Sequence, residues 1–305
     1  MIVGTDITPY RFGWYLVNEK KTLDFSIMHR AMTREDYDMF RKFTKVVEDL
    51  RPFNIDFMAL KADGQAVEAV KPFIEGSFNE MLTNGFVEIP RSVAVHAEAQ
   101  RVVSNFLSSA SAFRDRSATR LTRRHGKQHG SDVERLNAFI SKIYDRSFTY
   151  RLLHALRNHA QHHENPLSLV KTDAVRSNDG ELLATVNLQV NTSMLIANKK
   201  INATFRGELS RRVDDKIDLM PLIQENMREH SAIFAFILER HKSRIQEMIY
   251  YGLAIYNLVD PPQGAFPCVF DGPTPGKIMM MGFDEMMDYE RIMAVLDRDL
   301  QYYSS

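Results

Sequence analysis

The chain is expected to be mainly α: an antiparallel helical bundle with a small β element and a minor α+β region at its N-terminus. Three observations predict this. Val95, Ala99, Val102, Val103, Phe106, Ala110 and Phe113 recur at three-to-four-residue spacing, the mark of one buried helical stripe. Similar periods return over 131–165 and 221–259. Only Leu183–Val190 shows clear apolar–polar alternation, and only over its second half.

Each element follows from local chemistry. Residues 1–30 mix aromatic and β-branched residues, as in Arg11–Val17, and predict one or two short strands. Thr33 followed by Asp36 forms a capping-box variant that opens a helix through Phe40, Phe43, Val47 and Leu50, with Pro52 expected to end it. Residues 53–90 are ambiguous: Phe57–Leu60 reads as a strand, Val67–Phe73 as a short helix, and Pro90 closes a loop. One long helix is expected over Ser92–Arg124. After the glycines at 126 and 130, Ser131 with Glu134 makes a capping box for a second helix through Leu136, Phe139 and Ile143. A third begins near Ser147 and must stop by Asn165, because Pro166 biases the residue before it away from helical dihedrals. A strand at Leu183–Val190, with a partner near Leu167–Val175, follows across the turn residues Ser177–Gly180. Pro221–Val259 reads as one long helix stopped by Asp260-Pro-Pro, and a short helix is expected over Glu285–Asp297. The domain division that results is 1–90, an α+β region; 91–260, a helical bundle with a β insertion near 167–206; and 261–305, a Pro/Gly-punctuated, Met-rich extension.

Composition narrows the function classes. With 305 residues and 44% apolar content the chain is long enough for one large domain or two, and gross disorder is not expected. Lys plus Arg equals Asp plus Glu at 39 each, so net charge nominates no partner, although local patches do. A lone cysteine, Cys268, excludes an internal disulfide and any zinc site built on several cysteines. The N-terminal residues carry no signal-peptide pattern, and no run approaches the ~18 apolar residues of a membrane span. A cytoplasmic protein without membrane association is expected.

The chemistry-bearing stretch is Arg157-Asn158-His159-Ala160-Gln161-His162, near the end of the third bundle helix. A guanidinium holds a phosphate through two parallel hydrogen bonds, and an imidazole moves a proton near neutral pH. At 100° per residue, Leu152, Leu156 and Ala160, with Thr149 and Leu153 beside them, form the buried stripe. Arg151, His154, Asn158 and His162 share the opposite side, and Arg157 flanks it. Arg157 and His162 are both expected to be exposed, and Arg157, Asn158 and His162 can converge on one solvent-facing ligand. A metal reading of His159, His162 and His163 is weaker, because the only acid beside them is Glu164, which follows directly, and the other donors are not nominated.

Arg-Asn-x-x-x-His near a helix end, in an antiparallel bundle, resembles the signature of the HEPN superfamily, over about residues 92–260. The resemblance implies a metal-independent endoribonuclease of the kind found in toxin–antitoxin and phage-defence systems, with no cofactor. Arg157 would grip the scissile phosphate, Asn158 orient the site, and His162 act as the base that activates a 2′-hydroxyl. Products would be a 2′,3′-cyclic phosphate and a 5′-hydroxyl end. It implies RNA as substrate, a homodimer whose two motifs form one site, and an antitoxin or defence protein as a further partner. Arg151 and His154 beside the motif are candidate RNA contacts. So are Arg120, Arg123, Arg124 and Lys127 in the basic run Arg114–His129, the expected electrostatic footprint for a polyanion. The competing reading of that run is a solvated helix terminus. The competing reading of the whole chain is a non-catalytic interaction or sensor protein of a defence operon.

Overall fold

A computed structural model describes residues 7–304 except 86, 87, 127, 163–165, 168, 177, 178, 180, 213, 275–277, 281 and 282; the side chains of His125, His162, Leu169, Met280, Phe283, Asp284 and Met286 also fall outside that description. In chain order the elements are β1 (Arg11–Val17), β2 (Leu23–Ile27), α1 (Arg34–Thr83), α2 (Ile89–His125), α3 (Asp132–Arg146), α4 (Phe148–His162), β3 (Leu169–Arg176), β4 (Leu182–Asn191), α5 (Thr192–Ala197), α6 (Ala203–Ser210), β5 (Lys216–Asp218), α7 (Leu219–Glu239), α8 (Lys242–Val259), β6 (Phe266–Phe270), β7 (Ile278–Met280) and α9 (Phe283–Ser304). The protein is mainly α with two small antiparallel sheets, the fold class its periodicities predict.

Local signals act where they were read. Thr33 N–H donates to Asp36 Oδ2 at 3.0 Å, and Asp36 N–H to Thr33 Oγ1 at 3.1 Å, the reciprocal bonds of a capping box. Ser131 Oγ accepts from Glu134 N–H, and the Glu134 carboxylate accepts from Gly130 N–H. Pro52, however, does not end a helix: α1 runs 50 residues through it, so the strand expected at 57–60 is helix. An interior proline forfeits a hydrogen bond and costs about 3 kcal/mol. Buried anchors on either side, Val47 and Leu50 before it and Phe53, Phe57 and Leu60 after it, offset that cost. The helix expected over 221–259 is instead two, α7 and α8, broken at Arg240–His241, where His241 Nδ1 lies 3.0 Å from the Ile237 carbonyl and caps the first. Short helices α5 and α6 and strands β6 and β7 were not anticipated.

The chain divides into two compact units, and not along the linear partition 1–90, 91–260 and 261–305. Met1–Pro52 with Ala235–Asp297 form one; Phe53–Phe234 with Arg298–Ser305 form the other. Strand pairing between distant segments is the reason. In the first unit the sheet order is β2-β1-β6-β7, with Arg11 paired to Phe270 and Tyr15 to Phe266. Gly13 is required at its centre, since a Cβ there would meet the Ser26 carbonyl and the Phe270 ring. Cys268 is fully buried in this sheet, and burial pushes its thiol up to about 12.

In the second unit α2, α3 and α4 pack on one another. Phe57 of α1, Phe113 of α2 and Phe234 of α7 form its aromatic centre, with ring centroids 4.5–6.2 Å apart. Gly64 lets α1 approach α7: a Cβ there would lie 3.1 Å from Met227 Sδ. The sheet of this unit has the order β3-β4-β5. Among the described residues no helix is long and apolar enough to cross a membrane.

Candidate nucleic-acid site around Arg157 and Asn158

Helix α4 carries the motif and presents two different faces. Thr149, Tyr150, Leu152, Leu153, Ala155, Leu156 and His159 are buried. Because 150, 153, 154 and 157 follow a helical stripe, they turn together toward α2 and α7. There they line a cavity of about 20 Å³ with Ser111 and Arg114 of α2 and Asn226 and His230 of α7, room for about one water. Arg157 is therefore half-buried and faces inward, and its expected exposure is corrected on this point. Its Nη1 donates to Asn158 Oδ1 at 3.1 Å, while its buried Nε meets no acceptor among the described residues. His162 closes the same helix; its side chain lies outside the described residues.

Hydrogen-bond donors dominate this cavity. Burial works against the Arg114 charge, but Asp115, bonded to its Nε at 2.9 Å, and Tyr150 outweigh it, so its pKa rises. His154 is pushed below the ordinary histidine value, first by burial and then by Arg114 and Arg157. Burial depresses His230 to about 4 and raises Tyr150 to about 12. Glu229 on α7 is fully buried, and desolvation lifts it to about 8, only partly countered by Ser147 and by Asn226, whose Nδ2 donates to it at 2.6 Å. The trio Asn226, Glu229 and His230 was not singled out from sequence. Their only signal is the i, i+3 and i+4 spacing, and Gln224, Glu225, Arg228 and Ser231 around them obscure it.

Glu229 and His230 give stability a defined pH dependence. Between about pH 4.5 and 8 the folded chain keeps a Glu229 proton that the unfolded chain releases, so this group lowers stability as pH rises. Between about pH 6.5 and 4 the unfolded chain binds a proton that folded His230 refuses, so stability falls as pH drops. The two slopes oppose each other below pH 6.5, and above it only the Glu229 fall remains. The melting temperature of the wild type is expected to drop between pH 6.5 and 8.5, and that of Glu229→Gln to stay level. Parallel melting curves for the two proteins would contradict the assignment.

The other face of α4 opens on a larger cavity, about 390 Å³, lined by Tyr144, His154, Ala155, Asn158, Asn198, Lys200, Ile201, Asn202 and Phe205. His154 borders both cavities. Asn198 Nδ2 lies 3.1 Å from His159 Nδ1, tying α4 to the turn after α5, and Asn202 Oδ1 caps α6 through Thr204 N–H at 2.8 Å. Lys200 is exposed at the margin. A cation, an aromatic ring and several amides around one concavity suit a phosphate and a base.

Two expected RNA contacts are otherwise engaged. Arg151 donates to both Glu208 oxygens at 2.9 and 3.0 Å and to the carbonyls of Tyr144 and Asp145 at 2.7 and 2.8 Å. It clamps the end of α3 to α6 and has no fork left for a phosphate. Arg120 pairs with buried Asp56, as does Arg116, and lies over the Phe53 ring at 5.6 Å. Arg123 and Arg124 are exposed near the end of α2; Lys127 lies outside the described residues. Arg120→Ala is expected to cost about 1–3 kcal/mol by stripping a partner from a buried carboxylate. Arg123→Ala should stay within about 0.5 kcal/mol. Denaturant unfolding separates them.

Among the described residues no group of three or more His, Cys, Asp or Glu side chains is arranged to hold a metal ion. Of the histidine cluster weighed as ligands, His163 and the His162 side chain lie outside that description. Comparisons with protein-family models, curated proteins and solved structures find no match for this chain.

Proposed function

We propose that the protein is a metal-independent endoribonuclease of the HEPN type. The observation that carries this reading is the placement of Arg157-Asn158-x-x-x-His162 along the last turns of a helix packed in a helical unit, with Asn158 lining a concavity large enough for a nucleotide. His162 takes the proton of a 2′-hydroxyl, which attacks the adjacent phosphorus; the P–O5′ bond breaks, the departing O5′ takes up the proton that His162 then gives back, and a 2′,3′-cyclic phosphate and a 5′-hydroxyl remain. Arg157, which faces the inner cavity in the free chain and is bonded to Asn158, turns outward past that amide to offset the charge that builds on the phosphoryl oxygens. The inner cavity is the size of a water, so RNA is assigned to the larger one, with Lys200 at its margin. Two copies of the motif, related by a two-fold axis, would enclose the strand more completely than one. Incubation with total RNA in EDTA tests the reading: cleavage by wild type, lost in His162→Ala, supports it, and no cleavage by wild type counts against it.

A second reading draws on the burial of Arg157. A half-buried guanidinium bonded to its neighbouring amide also suits a helical protein that binds a partner without cutting RNA. RNA retention without cleavage products, or no RNA binding at all, favours that alternative, with a defence-system protein as partner.

A further inference from the structure

The β3-β4-β5 sheet treats its two sides differently. On the side of β4 away from β3, β5 pairs with Gln189–Asn191. Farther along, two α1 side chains take the ladder's place: Glu75 Oε1 accepts from Val186 N–H at 3.0 Å, and Asn79 Oδ1 accepts from Ala184 N–H. Side-chain covering of this kind protects an edge from other chains. The opposite edge, the outer side of β3, is paired with no strand among the described residues.

The backbone direction on that edge follows from the same bonds. Val186 and Ala184 turn their N–H groups away from β3. Facing residues of an antiparallel ladder point alike, so Thr172 and Ala174, their partners, turn N–H and C=O outward, and Val170 does so by alternation. The strand Leu169-Val-Lys-Thr-Asp-Ala-Val-Arg176 is also self-complementary about Thr172. Reversed on itself, Thr172 faces Thr172, Lys171 faces Asp173, Val170 faces Ala174 and Leu169 faces Val175. Over 169–175, Lys171 and Asp173 each meet the opposite charge and every apolar residue meets an apolar one. Val175 is 50% exposed in the single chain.

We propose that β3 pairs with β3 of a second copy, antiparallel about a two-fold axis at Thr172, joining two three-stranded sheets into one of six strands. Thr172–Thr172 and the two Val170–Ala174 pairs then exchange backbone hydrogen bonds. Lys171 and Asp173, bonded along one strand at 2.7 Å in the single chain, exchange partners across the axis. The pairing does not rest on the nuclease reading.

Charge exchange tests it in the full-length protein, by light scattering and analytical ultracentrifugation. Lys171→Asp and Asp173→Lys, each alone, place like charges opposite one another twice and should weaken the dimer about tenfold or more. Mixing the two single variants should restore a dimer, now a heterodimer, and the double variant K171D/D173K should dimerise with itself. Thr172→Pro removes an outward N–H that the chain's own ladder does not use, and should be monomeric while melting as a folded protein. A wild type that stays monomeric at high micromolar concentration overturns the proposal. So does a dimer that the single variants and Thr172→Pro leave intact, since its contact then lies elsewhere.

Discussion

Replacing His162 by alanine is expected to lower metal-free RNA cleavage by ~10²–10⁴-fold, the usual contribution of a positioned base. In the proposed reaction His162 is the group that takes the 2′-hydroxyl proton. Arg157→Lys is the sharper companion variant. It keeps the charge in a half-buried place but loses the planar fork that holds two phosphate oxygens at once. Loss of one such donor typically costs ~10²–10³-fold in rate, so Arg157→Lys should be slow rather than merely weak-binding, with its melting temperature close to wild type. Rates are measured on a labelled RNA in EDTA. Equal cleavage by wild type and both variants would move the chemistry away from α4.

The largest effect on stability is expected at Phe113. Its ring is fully buried and lies 5.7 Å from Phe57, 6.2 Å from Phe234 and 6.1 Å from the His230 ring. Alanine there removes contacts to two helices, α1 and α7, and leaves a void that surrounding rings cannot fill without leaving their rotamers. A buried Phe→Ala change costs about 3–5 kcal/mol, a fall in melting temperature on the order of 10 °C for a unit of this size. Phe113→Leu, which keeps most of the volume, should lose much less. An alanine variant that melts with wild type would mean that the aromatic centre is not the core of this unit.

Much of the fold was legible because its signals are local. The Thr33–Asp36 and Ser131–Glu134 caps sit within one turn of the residues they bond, and the Val95–Phe113 stripe reports its own helix. Pro52 misled because its cost is local, whereas the packing of Leu50 and Phe57 that overrides it comes from elsewhere in the chain. Strands β6 and β7 are short and lie among prolines and glycines; only pairing with β1, some 250 residues earlier, makes Phe266–Phe270 a strand.

The candidate site divides in the same way. From the amino-acid sequence alone came the helix that carries Arg157, Asn158 and His162, its buried stripe, and the polar side on which Asn158 lies, since 100° per residue sets each side chain's direction about the helix axis. What stands opposite each side chain was decided only by tertiary structure. Glu208, 57 residues on, occupies Arg151; Asp56, 64 residues back, occupies Arg120; and Arg114 and His230 meet Arg157 across one small cavity. A helix's periodicity states where a side chain points, whereas its burial, charge state and freedom to meet a ligand depend on groups that folding brings from distant parts of the chain.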